Sequence, residues 1–296
     1  MNAPLPVDVV VVTLDAGEMI VRCVSHLNPS LVQKVIVVDN ASSDGTAEAV
    51  RGREGVELVR LEQRRSLAAA YNAGSEHGSA DLVLFLNDDI LASDAAIERL
   101  VESLSLRRDA VAAAGRLVDP GTGVTQVQYQ PQPFPTWRSF TGTLLGRHGR
   151  PSVLDETETV AVEHAAGACF LVRRDVLEAV GGWDGQFALW YEDVDLTRRL
   201  VEHGAVLYVP TAPFEHVGGW TARRLTRAEL VNRHYRGALR YASKHFGPGE
   251  RIATGLAYAL VAAARIVLSP RDVEGRAAYA SVLSAGLCLA TGRRLS

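Results

Sequence analysis

The chain has 296 residues, 47% apolar and 22% charged, which supports a packed core and excludes wholesale disorder. A net charge of −3 excludes a general electrostatic binder of nucleic acid. That mean hides an asymmetry: residues 1–218 hold 18 Lys+Arg against 30 Asp+Glu, giving −12, and residues 219–296 hold 13 against 4, giving +9. An acidic body suits a cation site, and a basic tail suits an anionic surface.

Val7 to Thr13 reads VDVVVVT, a β-branched run that predicts a strand buried on both faces of a parallel sheet. A helix through Cys23 and Leu27 follows, then a second buried strand, Lys34 to Asp39. Ser43-Asp44-Gly45-Thr46 offers capping side chains for another helix. Val56 to Leu61 is a third strand, Ser66 to His77 an Ala-rich helix, and Asp81 to Asn87 a fourth strand that runs into Asp88-Asp89. This alternation predicts a doubly wound α/β sheet. Residues 119–160, with Pro131, Pro133 and Pro135, read as a long irregular excursion. Order resumes with a strand at Ala168 to Val172, a helix through Leu177, the Gly181-Gly182 turn, a helix at Leu196 to Glu202 and a strand at Val206 to Val209. From about Leu225 the chain reads as helices, with apolar stretches Ile252 to Leu268, stopped by Pro270, and Ala277 to Ala290. Neither a dinucleotide glycine fingerprint nor a phosphate-binding loop follows the first strand.

Cys23, Cys169 and Cys288 lie far apart with no Cys-x-x-Cys pair, so neither a disulfide framework nor a zinc site is expected, and a reducing compartment is. The first six residues lack the basic start of a signal peptide. The longest uncharged apolar run, Ile252 to Ala264, has 13 residues, short of the roughly 20 that a bilayer span needs. The expected location is cytoplasmic. The two apolar helices with flanking Arg residues fit either peripheral contact with the inner face of a membrane or a packing or homodimer element.

In open α/β sheets ligands bind beyond the carboxyl ends of the strands. Two predicted strand ends there carry acids. Asp88 and Asp89 are adjacent hard oxygen ligands for Mg2+ or Mn2+, the cation a departing diphosphate needs; the alternative is a solvated turn. Asp39 is placed to accept the N3–H of a pyrimidine ring or to cap the next helix. Trp190-Tyr191-Glu192-Asp193-Val194-Asp195 sets three acids among aromatic residues ahead of a helix, where partial burial would raise a carboxylate pKa toward general-base use. The alternative is that Asp193 or, more readily, Asp195 merely caps the helix together with Arg198 and Arg199. His216, flanked by Gly218 and Gly219, could join a carboxylate around a cation.

Together, Val38-Asp39-Asn40-Ala41-Ser42-Ser43-Asp44-Gly45-Thr46, Asn87-Asp88-Asp89, Gly181-Gly182-Trp183-Asp184, Glu192-Asp193-Val194-Asp195-Leu196 and His216 resemble the family 2 glycosyltransferases, and their rhamnosyltransferase-like bacterial branch in particular. The resemblance spans residues 7–218. It implies the GT-A fold, a Rossmann-like mixed α/β sheet, as a catalytic domain over 1–218, with C-terminal helices over 219–296. It implies inverting, metal-dependent transfer from a nucleotide-diphosphate sugar, with Mn2+ or Mg2+ as cofactor. The donor would be dTDP-rhamnose, or alternatively a UDP-hexose or UDP-HexNAc. The acceptor would be a saccharide or a polyprenyl-diphosphate-linked sugar in cell-wall or polysaccharide assembly. By the same resemblance Thr13, Asp39 and Asp88 bind the nucleotide, Asp89 and His216 hold the metal, Asp193 is the base, and Trp190, Tyr191 and Glu192 bind the acceptor. Three positions depart from the pattern: Leu14-Asp15 after Thr13, Arg64-Arg65-Ser66 before the Ala-rich helix, and Asn87 in place of an acid. Two other classes stand as rivals. One is a sugar-phosphate nucleotidyltransferase, whose Gly-rich signature Asp15-Ala16-Gly17-Glu18 lacks. The other is an inert, membrane-associated nucleotide-sugar-binding module.

Overall fold

The computed structural model describes residues 5–144, 146, 157–219, 225–268 and 272–293. The chain divides into two compact units: residues 1–133, 151–186 and 193–218 form the first, and residues 134–150, 187–192 and 219–296 the second.

The first unit is built on a mixed nine-stranded sheet in the order Val56–Arg60, Val32–Asp39, Leu5–Thr13, Leu82–Asn87, Cys169–Arg173, Ala110–Val118, Ala205–His216, Ile90–Leu91, with Val160–Val162 paired to Ala205–His216. Its first half follows the sequence pattern: β1 (Leu5–Thr13), α1 (Gly17–Ser25), β2 (Val32–Asp39), α2 (Thr46–Val50), β3 (Val56–Arg60), α3 (Leu67–Ser75) and β4 (Leu82–Asn87). Val9, Val10 and Val11 are fully buried, as expected of a central parallel strand covered on both faces. α2 runs to only five residues, with Gly52 close behind it at φ 75. α3 lies directly on the sheet. A Cβ on Gly74 would fall 2.4 Å from Val10 Cγ1 and 2.7 Å from Val38 Cγ2, so only glycine allows that approach.

Residues 90–118 add β5 (Ile90–Leu91), α4 (Asp94–Leu106) and β6 (Ala110–Val118). Ser93 caps α4 by accepting from Ala96 N, and Ile97, Leu100, Val101 and Leu104 form its buried stripe. The sheet continues through β7 (Val160–Val162), β8 (Cys169–Arg173) and β9 (Ala205–His216), with α6 (Arg174–Ala179) and α7 (Glu192–Leu200) between β8 and β9. β8 runs antiparallel to both β4 and β6.

Two element boundaries differ from expectation in ways that matter for the site. β9 does not end at Val209. It slips register against β6 between Gly115 and Arg116, resumes at Pro213 and carries His216 into pairing with Ile90. Pro210 falls within the irregular step at 210–212, and Pro213 is the residue at which pairing with β6 resumes. α7 starts at Glu192 instead of Leu196, which puts Asp193 and Asp195 in its first turn. The expected irregular excursion holds a short 3-10 turn at Val127–Tyr129 and a helix, α5 (Trp137–Leu144); residues 145 and 147–156 of it lie outside the described residues.

The second unit contains α5, α8 (Arg227–His245), α9 (Pro248–Leu268) and α10 (Val273–Ala290). α8 opens with a capping box between Thr226 and Glu229. α9 and α10 meet backbone to backbone: a Cβ on Gly255 would lie 2.5 Å from Gly286 O, and one on Gly286 2.7 Å from Gly255 O. α9 is longer than the 13-residue apolar run suggested. Among the described residues it is one helix long and apolar enough, by length and composition, to cross a membrane. Pro270, expected as its stop, lies outside the described residues.

Candidate active site

Parallel register brings the expected nucleotide residues to one edge. Thr13 pairs with Asp39 across β1 and β2, and Val12 pairs with Asn87 across β1 and β4. The loops leaving these strands are stitched together. Asp15 Oδ1 accepts from Ser43 N (2.7 Å), Ser42 Oγ accepts from Asp15 N (2.9 Å), and Thr46 Oγ1 accepts from Ala16 N (2.9 Å). Asp15 at φ 47 and Ala41 at φ 64 occupy left-handed backbone, a local strain that this stitching holds. The Leu14-Asp15 departure therefore has a structural use. Asp39 is fully buried; its Oδ1 accepts from Ser42 N (3.1 Å), and its Oδ2, with no hydrogen-bond partner, lies 3.4 Å from Arg60 Nε. One oxygen thus serves the local turn and the other faces the Arg60 guanidinium.

The two adjacent acids separate in role. Asp88 Oδ2 accepts from Thr13 Oγ1 at 2.8 Å. Loss of water pushes the Asp88 carboxyl up to about 7; the Thr13 hydroxyl opposes this and the neighbouring Asp89 charge adds to it. Asp89 is buried and looks toward His216, with Oδ1 3.4 Å from Nε2. His216 is fixed from behind by Gln126. Gln126 Nε2 donates to both His216 O (2.8 Å) and Asp119 Oδ1 (2.7 Å), so its Oε1 must face His216 Nδ1 at 2.7 Å and accept from it. In the neutral ring Nε2 then carries a lone pair aimed at Asp89 Oδ1, which has no hydrogen-bond partner. Tyr129 packs edge-on to the imidazole at 4.8 Å. Sequence reading missed Gln126; a glutamine gives no signal until β9 is known to reach His216.

Two acceptors facing one another across 3.4 Å, one of them a buried carboxylate, suit a divalent cation. Among the described residues, no three His, Cys, Asp or Glu side chains gather as an all-protein metal cage. The fit is to a cation that takes two protein donors and completes its shell with diphosphate oxygens and water, as Mg2+-type sites do. Asn87, at the position of the missing acid, is committed elsewhere: its Oδ1 accepts from Tyr71 Oη at 2.9 Å.

Asp193 stands on the first turn of α7 with its side chain a quarter exposed. Oδ1 accepts from Val194 N (2.8 Å) and Oδ2 from Gly167 N (3.0 Å). Gly167 has no room for a side chain, since its Cβ would lie 2.8 Å from Asp193 Cβ. His164 Nε2 lies 3.6 Å from Asp193 Oδ2 and finds no hydrogen-bond partner. Burial acts to raise the Asp193 pKa, but the His164 imidazole and the two backbone N–H groups outweigh it and hold the carboxyl below its ordinary value. The sequence expectation that partial burial would raise this pKa is thus corrected: the carboxylate is kept ionised and oriented. His164 also escaped sequence reading, being remote from the acidic cluster in the chain. Asp195 is fully buried and ion-paired with Arg199: Oδ2 accepts a hydrogen bond from Nε (3.0 Å) and lies 2.8 Å from Nη2; Arg199 Nη1 donates onward to Val180 O and Gly182 O. This is the structural alternative weighed for Asp195. The Gly181-Gly182-Trp183 segment is tied to α3 by Asn72, which donates to Trp183 O (2.8 Å) and accepts from Trp183 N (2.9 Å).

The expected acceptor residues Trp190, Tyr191 and Glu192 belong to the second unit. Trp190 and Tyr191 both take left-handed backbone, φ 66 and 68. Tyr191 packs among Phe140, His234 and Tyr241, and Trp190 stands edge-on to His234 at 5.8 Å. Gly237 lets this bend approach α8: its Cβ would be 3.0 Å from Trp190 O. Glu192 is buried at the start of α7.

Residues 8–181, more than half of the chain, match glycosyl transferase family 2. The chain belongs to that family. It is 28% identical over 273 residues to the N-acetylglucosaminyl-diphospho-decaprenol L-rhamnosyltransferase of Mycobacterium tuberculosis, covering 83% of this chain and 87% of the relative. It is 27% identical over 247 residues to the glycosyltransferase AglE of Haloferax volcanii, covering 80% and 73%. Among solved structures it resembles the Pyrobaculum calidifontis mannosyltransferase PcManGT in complex with GDP-Man and Mn2+ (TM-score 0.54, 20% identity, 98% of this chain and 89% of that one). It also resembles GalNAc-T7 with UDP, GalNAc and Mn2+ (TM-score 0.58, 16% identity, 78% of this chain); it spans 48% of that longer chain. These likenesses establish the GT-A fold.

Within this glycosyltransferase the remaining departure, Ser66, also finds a local explanation. Its Oγ caps α3 by accepting from Ala69 N (3.2 Å) and donates to Gly185 O (2.8 Å), holding the segment after Trp183.

Proposed function

We propose that this enzyme is an inverting, divalent-metal-dependent transferase that moves L-rhamnose from dTDP-rhamnose to a saccharide or polyprenyl-diphosphate-linked acceptor. The observation that carries the reading is Asp193: a partly exposed carboxylate held ionised, with both oxygens oriented by backbone N–H groups and with no Arg or Lys partner among the described residues. A merely nucleotide-sugar-binding module would have no use for a base so prepared.

In this reading Thr13, Asp39 and Asp88 receive the nucleotide at the sheet edge, with Asp39 Oδ2, which has no hydrogen-bond partner, accepting the N3–H of the pyrimidine. Asp89 and His216 would hold the Mn2+ or Mg2+, which when bound supplies positive charge to the diphosphate leaving group. Asp193 takes the proton from the acceptor hydroxyl as its oxygen bonds to the anomeric carbon; the bond from that carbon to the diphosphate breaks and the diphosphate departs with the electron pair. Trp190, Tyr191 and Glu192, next to the base in the chain, are assigned to the acceptor, with the aromatic faces giving a sugar an apolar wall.

The donor assignment is supported by likeness to the mycobacterial rhamnosyltransferase, whose name gives the acceptor as a diphospho-decaprenol-linked N-acetylglucosamine. Transfer assays with Mn2+ and a lipid-diphosphate-linked N-acetylglucosamine acceptor, supplied with dTDP-rhamnose, UDP-hexoses or UDP-HexNAc in turn, test it. Turnover of dTDP-rhamnose, with the anomeric configuration reversed in the product, is the expected result. Preferential turnover of a UDP-sugar would overturn the rhamnose assignment, and absence of transfer from any donor would favour the binding module.

A further inference from the structure

One face of the second unit is not explained by catalysis. Ile252, Leu256 and Leu260 recur every fourth residue along α9, and Val267 and Leu268 continue the line; all five are exposed, Leu260, Val267 and Leu268 by more than 70%. No charged residue occurs between Arg251 and Arg265. The opposite face, Thr254, Gly255, Tyr258, Ala259 and Ala262, is buried. A helix that packs with one side and shows water an uninterrupted apolar stripe on the other marks an interaction surface.

The charges around the stripe identify what covers it. Residues 219–296 hold 13 basic and 4 acidic residues. Three of the four acids are turned to backbone duty at helix starts: Glu229 accepts from Thr226 N, Glu250 from Gly247 N and Asp272 from Gly275 N. Arg265, Arg276 and Arg293, at the ends of α9 and α10, are exposed. A second copy would bring the same excess of +9 against itself across a two-fold interface. An anionic lipid surface offers acyl chains to the stripe and headgroups to the arginines. Arg251 and Arg265 stand about 21 Å apart along the helix, less than the roughly 30 Å hydrocarbon thickness, so α9 lies along the interface instead of crossing it. We infer that the α9 face docks the protein peripherally on an anionic lipid bilayer, burying Ile252, Leu256, Leu260, Val267 and Leu268 at the headgroup–acyl boundary.

This inference goes beyond the transfer reaction and is read without it, by flotation of the full-length protein with vesicles. The protein should float with phosphatidylcholine vesicles containing phosphatidylglycerol at low salt, not with phosphatidylcholine alone, and should be released by high salt. The variant Leu256→Glu/Leu260→Glu changes exposed positions only. It should melt as the parent does and turn over donor on a soluble acceptor unchanged, yet lose about tenfold or more of its vesicle-bound fraction. Parent protein that stays in solution, or a variant that floats equally well, overturns the inference. So does attachment that only detergent reverses, which would mean a span. Sedimentation showing that the substitutions convert a dimer to a monomer, with no flotation of either, would assign the face to a second copy.

Discussion

Replacing Asp193 by asparagine preserves shape and removes the proposed proton acceptor. Its two oxygens each take a backbone N–H, from Val194 at 2.8 Å and Gly167 at 3.0 Å. An amide offers one oxygen, so its NH2 must face one of those donors and a charge-assisted hydrogen bond is lost. In a quarter-exposed setting that loss is about 1–2 kcal/mol, a few degrees in Tm. Against a total stability of about 5–15 kcal/mol the variant stays folded at 25 °C, so unfolding cannot account for a large kinetic effect. In its proposed role as general base Asp193 would contribute at least ~10²-fold to turnover, so kcat should fall by that factor with donor affinity little changed. Initial-rate assays with saturating donor, paired with calorimetric titration of the nucleotide sugar, measure the two quantities separately. Asp195→Asn makes the contrast. It weakens the buried pair with Arg199 and should lower Tm without a comparable loss of kcat in the folded fraction. A kcat for Asp193→Asn within about tenfold of the parent, or a folded but dead Asp195→Asn beside it, would refute the assignment of the base.

His164→Phe should move the acid limb of the kcat/KM–pH profile to higher pH. The imidazole helps hold the Asp193 pKa down, so the ionised base, present above that pKa and lost as pH falls through it, is lost sooner on acidification once the ring is gone; an unmoved limb would show that His164 is mere packing. Gln126→Leu removes the acceptor that fixes His216 Nδ1–H and should weaken Mn2+ binding about 10–100-fold in calorimetry with nucleoside diphosphate present, as should loss of His216 itself. Asp89→Ala should abolish metal-dependent nucleotide binding, and unchanged diphosphate affinity would sink that assignment. Asn72→Ala strands both the N–H and the C=O of Trp183 and should cost about 2 kcal/mol, lowering Tm by roughly 5 °C in a thermal melt while leaving KM for donor in place.

The parallel half of the sheet was legible because its signal is local. Val9 to Val11, Val35 to Val38 and Leu82 to Leu86 are buried on both faces, so their runs are unbroken by polar residues and bounded by loops. What local pattern could not convey is strand order. β8 enters antiparallel between β4 and β6 because of contacts more than 50 residues apart, and nothing in Cys169–Arg173 alone states a direction. β9 was read short for a related reason. Pro210 and Pro213 interrupt a ladder only if the ladder is regular, and the register step against Gly115 makes it irregular where the prolines fall; a Cβ at Gly115 would lie 2.4 Å from Phe214.

The same distinction governs the site. Acids at strand ends announce themselves, since a carboxylate beside an apolar run has few structural reasons to be there, and the structure sets Thr13, Asp39, Asp88, Asp89 and His216 on or next to the strand ends of one sheet. The groups that decide what those acids do are invisible in sequence. Gln126 sets the tautomer of His216, Thr13 opposes the rise of the Asp88 pKa, and His164 with Gly167 turns Asp193 from an expected raised carboxyl into a lowered one. Each acts from a different element, so each depends on the register of the sheet or the placement of a loop. A carboxylate with a lowered pKa is a weaker base but a fully ionised one at neutral pH, and its two oxygens are already aimed. In the proposed transfer, where the acceptor hydroxyl loses its proton as it attacks, a base fixed in place and always ionised would remove the need to reorganise during the reaction and so compensate for what it lacks in basicity.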